Sequence, residues 1–457
     1  IAGNIVREGF ASFDGLTPTN GFHPLWMGLI AGLRLLFPDS APYLSAAAVL
    51  SIALSAVCGV LYSVSARGRY SAPVVLVTLL LLFRYLRDFS LMCMETSVLL
   101  PSAFLLLISF DGVHSGTGKR RLWALGLLTA LTIASRLDSA LLCAILAVSV
   151  ISVCGWRALL PTALPGALLL LGYAVVNCAL MGTPASVSSM MKASGLGCNR
   201  LFAAQLFQMG DPLGLRSPWG LYLLSLLLAF PVSLTRRMPS AARVSGLFLV
   251  SFTAVQLFLS QWRLWCWYAY PAVLFTAFGL PPLLQDLYKR AVFLNRIEPA
   301  LTAASLLLLG GACIFWGLTY GGVAPEDFRR RNMEIALELS ATLPDTAVVA
   351  IGDRAESFAY FFRGHVIQAE GLAGDVKLAN AVRSQALEEY LESAGTDYLL
   401  SWTGPHLVED YRTWILVIPD RAQCSVFNNE LEVSGTDEVA RWPGTEESAF
   451  LWSRGEN

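Results

Sequence analysis

The chain has 457 residues, of which 55% are hydrophobic and only 14% are charged. An ordinary soluble domain carries about 25% charged residues, so a lipid bilayer is the natural solvent for much of this chain. The mean hydropathy of +0.57 also indicates a membrane protein. A formal net charge of −1 gives no overall basic field, so nucleic acid is not an expected partner.

The first 41 residues are predicted to form an external loop with a juxtamembrane helix. Residues 1–26 combine glycine, asparagine, threonine, histidine and tryptophan in an arrangement unlike that of a membrane span. The apolar stretch 25–37 follows Pro24 and is only about 13 residues long, which is too short to cross a bilayer. We predict that it lies at the membrane interface.

Residues 42–321 are predicted to form a transmembrane helical domain. A span needs about 20 predominantly apolar residues, or fewer where neighbouring helices cover its ends, and about ten stretches meet this requirement. These stretches are 42–65, 71–86, 91–110, 122–135, 138–155, 158–180, 217–234, 243–260, 264–285 and 298–319.

Lysine and arginine collect in alternate connections between these stretches. The positive-inside rule therefore assigns those connections to the cytoplasm. With an even number of spans, residues 1–41 and the C-terminal region both face the outside. The predicted cytoplasmic cations are Arg67, Arg69, Lys119, Arg120, Arg121, Arg157, Arg236, Arg237, Arg243, Lys289, Arg290 and Arg296.

The opposite face carries fewer cations, and carboxylates accompany most of them. Charges at membrane depth are costly, so they are usually paired, hydrated or functional. Snorkelling at the interface and structural pairing can explain individual residues, whereas a part-buried polar cavity at the external face explains the whole set. The set comprises Arg84, Arg87, Asp88, Glu95, Arg136, Asp138, Lys192 and Arg263.

Residues 322–457 are predicted to form a small soluble α/β domain. Helical patterns at 326–342 and 377–395 alternate with short apolar strands at 347–353, 397–402, 414–419 and 448–453. Gly352-Asp353 follows a strand, but neither GxGxxG nor GxxxxGK[ST] follows it, so an ATP-driven function is not expected. The domain could act as a lid, dock an acceptor or only stabilise the outer face.

Several motifs together resemble the GT-C superfamily of membrane glycosyltransferases. They are similar to those of bacterial cell-wall arabinofuranosyltransferases and, more distantly, of lipid A aminoarabinose transferases and protein O-mannosyltransferases. The resemblance implies a polytopic α-helical membrane protein of GT-C-like fold in a bacterial inner membrane, with a small extracytoplasmic α/β domain at its C-terminal end. The motifs are Phe13-Asp14-Gly15, residues 19–26 (TNGFHPLW), Met94-Glu95-Thr96, Arg136-Leu137-Asp138, residues 182–186 (GTPAS) with Lys192, Trp267-Tyr268, Phe358-Ala359-Tyr360 and Glu370-Gly371-Leu372.

The resemblance also implies a reaction. A sugar would pass, with inversion, from a polyprenyl-phosphate-linked donor to an external glycan, lipid or protein acceptor. Activation of the acceptor hydroxyl needs a carboxylate within hydrogen-bond reach, and the superfamily pattern places the principal aspartate upstream of Ile1. Within the chain the candidates are Glu95, Asp138 and then Asp14. Asp138 could instead orient Arg136, and Asp14 could build a turn with Gly15.

Departure of the donor phosphate needs fixed positive charge in a site of low dielectric. The candidate phosphate ligands are Arg84, Arg136, Lys192 and Arg263. His23 could contact a phosphate or a hydroxyl, or it could be structural. Trp267 and Tyr268 could stack on a sugar or belong to an interfacial aromatic belt. Asn20 and Trp26 complete the predicted substrate-binding set.

The sequence contains no dense carboxylate cluster, so transfer without a metal or other cofactor is expected, although some superfamily members use a divalent cation. A transporter or flippase of a lipid-linked or small polar solute is the alternative, and a ligand-binding sensor is a third reading. Transporters tend to place charges near the membrane midplane in repeated halves. This chain shows no internal repeat and gathers its unusual charges at one face, which favours the transferase.

Overall fold

The structure is a computed structural model of the chain. It describes residues 1–193, 196–207, 219–291, 297–320, 328–352, 354–402, 406–407, 413–419, 424, 426–434, 437–442 and 449–454. Arg296, Asp353 and the predicted domain boundary at 321/322 lie outside the described residues.

The chain is a membrane protein whose N-terminal two thirds are helical. Four helical segments among the described residues are long and apolar enough to cross a membrane: Ser40–Ala66, Leu137–Cys154, Trp156–Met181 and Ser240–Leu259. Shorter apolar helices are Pro24–Leu36, Thr96–Asp111, Trp219–Leu234 and Glu298–Ala312. The number of crossings, predicted as about ten from the length rule, stays a prediction.

The helices of this part follow the predicted order closely. In the described residues they are α1 (Ala2–Glu8), α2 (Pro24–Leu36), α3 (Ser40–Ala66), α4 (Ala72–Met92), α5 (Thr96–Asp111), α6 (Lys119–Ser135), α7 (Ala140–Cys154), α8 (Leu159–Met181), α9 (Val187–Lys192), α10 (Arg200–Phe207), α11 (Trp219–Leu234), α12 (Ser240–Leu259), α13 (Tyr270–Phe278), α14 (Leu280–Arg290) and α15 (Glu298–Tyr320). Short 3₁₀ turns lie at Leu137–Ser139, Trp156–Ala158 and Cys266–Ala269.

The stretch 264–285, predicted as one span, is divided in the structure. It begins with the 3₁₀ turn Cys266–Ala269, continues as α13 and changes to α14 after Gly279. A Cβ built on Gly279 would lie 2.3 Å from ring carbons of Phe275, so the close approach there requires glycine. Pro281 follows within the first turn of α14, where a missing N–H donor is tolerated.

Two helices form the centre of the bundle. Residues Tyr270 to Ala277 of α13 are all buried, and twelve of the sixteen residues of α5 are buried. A helix that is apolar and buried all round lies inside the protein, away from lipid and water. Glu95 directly precedes α5, and Tyr268 lies in the 3₁₀ turn that ends directly before α13, so both side chains lie next to buried helices.

Close contact between α6 and α8 depends on glycine. A Cβ on Gly126 of α6 would lie 2.1 Å from the Pro161 carbonyl oxygen of α8, and a Cβ on Gly166 of α8 would lie 2.9 Å from Ile133 of α6. Small residues of this kind let helix backbones approach closely in membranes. The packing fixes the end of α6, which is followed immediately by Arg136.

The C-terminal region combines helices with two sheets. The described helices are α16 (Phe328–Thr342), α17 (Ala355–Phe361), α18 (Val376–Arg383) and α19 (Leu387–Ser393). The strands are β1 (Val348–Ile351), β2 (His365–Gln368), β3 (Tyr398–Ser401), β4 (His406–Leu407), β5 (Thr413–Ile418), β6 (Asn429–Ser434), β7 (Glu438–Trp442) and β8 (Ala449–Ser453).

One sheet has the order β2-β1-β3-β8-β7 and the other has the order β4-β5-β6. The strands β2, β1 and β3 run parallel, and α17 to α19 lie on the connections between them, as an α/β arrangement requires. The single helix predicted at 377–395 is two helices, because Gln385 takes a left-handed backbone conformation with φ 60°.

Candidate active site

A cavity of about 540 Å³ lies between the N-terminal segment, the helical bundle and the C-terminal region. One wall is α2 with the segment before it, and a second consists of Glu95, Arg136, Trp267 and Tyr268. Lys192 at the end of α9 closes a third side, and Glu356, Tyr360, Leu372 and Ala373 come from the C-terminal region. The cavity therefore collects polar side chains from segments far apart in the chain.

Arg136 is the most buried charged side chain of this site and is held by two carboxylates. Its Nη1 donates to Glu95 Oε1 at 3.0 Å, and its Nε donates to both carboxylate oxygens of Asp138, at 2.9 and 3.1 Å. Tyr270 also donates to Asp138, at 3.2 Å. Burying a charge is tolerated when it is paired and hydrogen-bonded in this way, so the arginine fixes the orientation of Glu95 at the cavity wall.

Aromatic rings cover the guanidinium of Arg136. Its Cζ lies 4.4 Å from the ring centre of Tyr268 and 5.1 Å from that of Tyr270. Lys192 Nζ donates to the Tyr268 hydroxyl at 2.6 Å and has no carboxylate partner among the described residues. Tyr268 thus contacts two cations, one through its ring face and one through its hydroxyl, and no described side chain neutralises the positive charge of Lys192.

His23 lies at the N-terminal end of α2, beside the carboxylate of Glu95. The distance from His23 Nε2 to Glu95 Oε1 is 3.7 Å, and the Leu137 N–H donates to Nδ1 at 3.5 Å. Burial lowers the pKa of His23 from its ordinary 6.5, with Arg136 and Lys192 acting in the same direction, against Glu95 and Asp138. The imidazole is therefore neutral at pH 7 and can accept or donate a hydrogen bond in the cavity.

The backbone that carries Lys192 is held by three separate elements. Asn20 donates to the Ala185 carbonyl at 3.1 Å and accepts from the Val187 N–H at 2.8 Å. Arg383 of the C-terminal region donates to the carbonyl of Met190 and, at 3.1 Å, to that of Ala193. The indole of Trp262 donates to the Met191 carbonyl at 2.8 Å. These contacts fix α9 and so set the position of the lysine.

The N-terminal segment is in turn clamped against the C-terminal region. The Thr19 hydroxyl donates to the Gly374 carbonyl at 2.7 Å. A Cβ built on Gly21 would lie 2.5 Å from the Leu372 carbonyl oxygen, so only glycine allows the two backbones to approach this closely. The motif at residues 19–26 and the Glu370-Gly371-Leu372 motif therefore meet at the cavity.

The predicted site residues divide into two groups in the structure. Those that line the cavity are His23, Trp26, Glu95, Arg136, Lys192, Trp267 and Tyr268. Asn20 and Asp138 lie behind that wall and hold lining segments in place.

Asp14, Arg84 and Arg263 do not line the cavity. Asp14 accepts from the N–H groups of Leu16 and Thr17 at 2.8 Å each, so its carboxylate builds a turn. Arg84 forms an ion pair with Asp88. Arg263 is exposed, and its Cζ lies 5.7 Å from the ring centre of Trp265.

Further side chains line the cavity that were not among the predicted site residues, and Arg34, Tyr43 and Tyr360 are three of them. Arg34 could have been found from helical spacing, because His23, Met27, Ile30 and Arg34 recur every three or four residues along one helix face. The stacking of Tyr43 on Tyr360, at 6.3 Å between ring centres, joins α3 to the C-terminal region and has no signal in the sequence.

Comparisons with known proteins identify the architecture. No family model matches the chain, and no curated protein matches it. Among solved structures the chain is similar to the crystal structure of ArnT from Cupriavidus metallidurans bound to undecaprenyl phosphate, with a TM-score of 0.54 and 12% sequence identity. The match covers 99% of this chain and 92% of that chain. The chain therefore has the GT-C fold that its motifs predicted, as a helical membrane protein with a C-terminal sheet region.

Proposed function

We propose that this protein is a membrane glycosyltransferase that transfers a sugar from a polyprenyl-phosphate-linked donor to an external glycan, lipid or protein acceptor. The observation that carries the proposal is that one cavity holds both a fixed carboxylate and a cation without a carboxylate partner among the described residues. Glu95 is held by Arg136 at 3.0 Å, and Lys192 lines the same space. The similarity to a structure that binds undecaprenyl phosphate supports the choice of donor class.

In the proposed reaction the acceptor hydroxyl attacks the anomeric carbon from the face opposite the phosphate. The new bond forms between the acceptor oxygen and that carbon, while the bond from the carbon to the phosphate oxygen breaks and its electron pair leaves with the phosphate. The configuration inverts. Lys192 stabilises the charge that develops on the leaving oxygens, which is the type of interaction that lowers such barriers most.

Glu95 is our candidate for the base within the described chain. The described hydrogen bonds to Glu95 use Oε1, and the side chain lines the cavity, where its carboxylate could accept the hydroxyl proton. Asp138 has the positioning role, because it orients Arg136 and does not itself line the cavity.

We further propose that the reaction needs no metal. The side chains expected to neutralise the phosphate are organic cations, with Lys192 at the cavity wall. We also propose a bacterial inner membrane as the location, with the C-terminal region outside the cytoplasm. Alternating cationic connections in the sequence support this orientation.

The test is release of undecaprenyl phosphate from a synthetic donor. The full chain, purified into lipid nanodiscs, is incubated with undecaprenyl-phosphate-linked pentoses and hexoses and a cell-envelope extract as the acceptor, and the products are measured by mass spectrometry. We expect release with at least one sugar. Glu95→Gln and Lys192→Gln should each lower it by about 100-fold or more, the effect of removing one group that stabilises transition-state charge.

Arg69→Gln is the matched control, because Arg69 forms an ion pair with Asp111 away from the cavity and should leave release unchanged. No release with any donor, or full release by both cavity variants, would contradict the proposal. Transport of an unmodified lipid-linked sugar across vesicles, without release, would favour the transporter instead.

A further inference from the structure

The cavity continues along α2 well beyond the carboxylate of Glu95. His23, Met27, Ile30 and Arg34 all line it, and their spacing places them on one face of the helix. Arg34 lies about three turns after His23, which is roughly 16 Å along the axis at the rise of an α-helix. The cavity is therefore elongated, with charged groups at both ends and an apolar floor between them.

Arg34 is a cation without a carboxylate partner in the described part of the chain. Its Nη1 is buried and has no hydrogen-bond acceptor there, while its Cζ lies 5.3 Å from the ring centre of Tyr43. Arg34 as a whole is partly buried and lines the cavity, and a charged donor that no protein acceptor satisfies is available to an anion. The side chain therefore points to an anion that binds at this end.

The charges of the lining residues also favour an anion at the Arg34 end. The basic side chains that line the cavity are Arg7, Arg34, Arg136 and Lys192, and the acidic ones are Glu95 and Glu356. Arg136 already neutralises Glu95. Arg7 donates to the neutral Asn4 at 2.7 Å, and α1, which carries it, packs against α2. With Lys192 assigned to the donor and Arg136 to Glu95, the lining cations Arg7 and Arg34 outnumber the remaining acid, Glu356, by one positive charge.

We propose that Arg34, assisted by Arg7, forms a second anion subsite that binds a phosphate group of the acceptor. This inference rests on the proposed function for the assignment of the first subsite. A polyprenyl-phosphate-linked sugar carries one phosphate, which Lys192 would hold, so a second phosphate belongs to the other substrate. The guanidinium suits a phosphate because it offers two parallel donors.

The proposal specifies the shape of the acceptor. Its phosphate lies roughly 16 Å from the reacting hydroxyl, by the helical rise that separates Arg34 from His23. The portion of the acceptor between its phosphate and its reacting hydroxyl packs against Trp26, Met27 and Ile30. This portion therefore presents a sugar face or an alkyl chain to these side chains. The phosphate can belong to a lipid headgroup or to a soluble glycan phosphate, and the chemistry at Arg34 is the same for both.

The experiment measures binding of a second phosphate after the donor end is filled. The full chain in nanodiscs of neutral phosphatidylcholine is saturated with undecaprenyl phosphate and then titrated with glucose 6-phosphate, or with dihexanoyl phosphatidic acid as the lipid counterpart. Binding is followed by calorimetry. We expect saturable binding of at least one probe, and the tighter one identifies the source of the phosphate.

Arg34→Gln should weaken that binding by about tenfold or more, as loss of a charge-assisted hydrogen bond does, and Arg34→Lys should restore part of it. Arg69→Gln should bind like the unchanged protein, and thermal unfolding checks that each variant is folded. Absence of binding by both probes, or binding within twofold in Arg34→Gln, overturns the subsite. If undecaprenyl phosphate fails to bind while the Arg34 effect persists, the proposed donor is wrong and the subsite stands.

Discussion

Replacing Arg136 by methionine tests whether the buried charges are held as the structure indicates. The side chains of Arg136 and Glu95 are 2% and 9% exposed, and their atoms lie 3.0 Å apart. Removing one partner of a buried pair leaves the other charge uncompensated and costs about 3–5 kcal/mol. The contact with Asp138 should add less, because that carboxylate is 32% exposed and water screens its charge.

The double variant Arg136→Met/Glu95→Gln removes both charges of the pair. We expect it to recover most of the lost stability, because replacing a buried ion pair by neutral groups of similar size is often close to neutral. Both variants should lose sugar transfer. The difference between the single and double variants therefore separates stability from catalysis.

The assay is reversible unfolding in mixed micelles with increasing dodecyl sulfate, followed by tryptophan fluorescence. Equal midpoints for Arg136→Met and the unchanged protein would refute the reasoning, because the arginine would then not compensate a buried carboxylate. A double variant as unstable as the single one would also refute it, since packing rather than charge would explain the loss.

Burial lowers the pKa of His23, so the free energy of unfolding should be highest above about pH 6.5 and should fall as the pH decreases from there towards the folded-state pKa. In His23→Asn, a plot of melting temperature against pH between 5 and 8 should lack this fall. Gly21→Ala should destabilise the protein by about 1–3 kcal/mol, since the alanine Cβ would collide with the Leu372 carbonyl. Limited proteolysis should then release the C-terminal region more readily. Arg383→Ala should speed hydrogen exchange in residues 187–193 and lower transfer several-fold through a displaced lysine, whereas Arg441→Ala, which removes an exposed pair, should do neither.

The helical part of the fold was readable from the sequence because membrane helices carry a strong local signal. Each predicted stretch overlaps a helix in the structure, and the stretch 25–37, which was predicted to lie at the interface, forms the helix Pro24–Leu36. The break at Gly279 was not predicted, because it arises from contact with the Phe275 ring and leaves the hydropathy unchanged. The division of 377–395 depends on one left-handed residue, Gln385, which no helical propensity indicates.

The candidate site was partly readable for a different reason. Charges next to apolar stretches are rare and costly, so Glu95, Arg136 and Lys192 could be selected individually. Their distances could not be derived, because each comes from a different helix end. Arg84 matched the same rule, yet it pairs with a neighbour four residues away. An ion pair within one helix stabilises a charged side chain as well as a polar cavity does. The sequence alone does not tell which of the two arrangements a given charge adopts.

The clamp between Thr19 and Gly374 has a consequence for synthesis of the protein. Translation proceeds at about 5–20 residues per second, so the last wall of the cavity leaves the ribosome tens of seconds after the first. During that interval the helices already in the bilayer surround a cavity that still lacks its C-terminal wall. Newly made chains should therefore stay unable to retain a ligand in this cavity until their final portion has folded and docked.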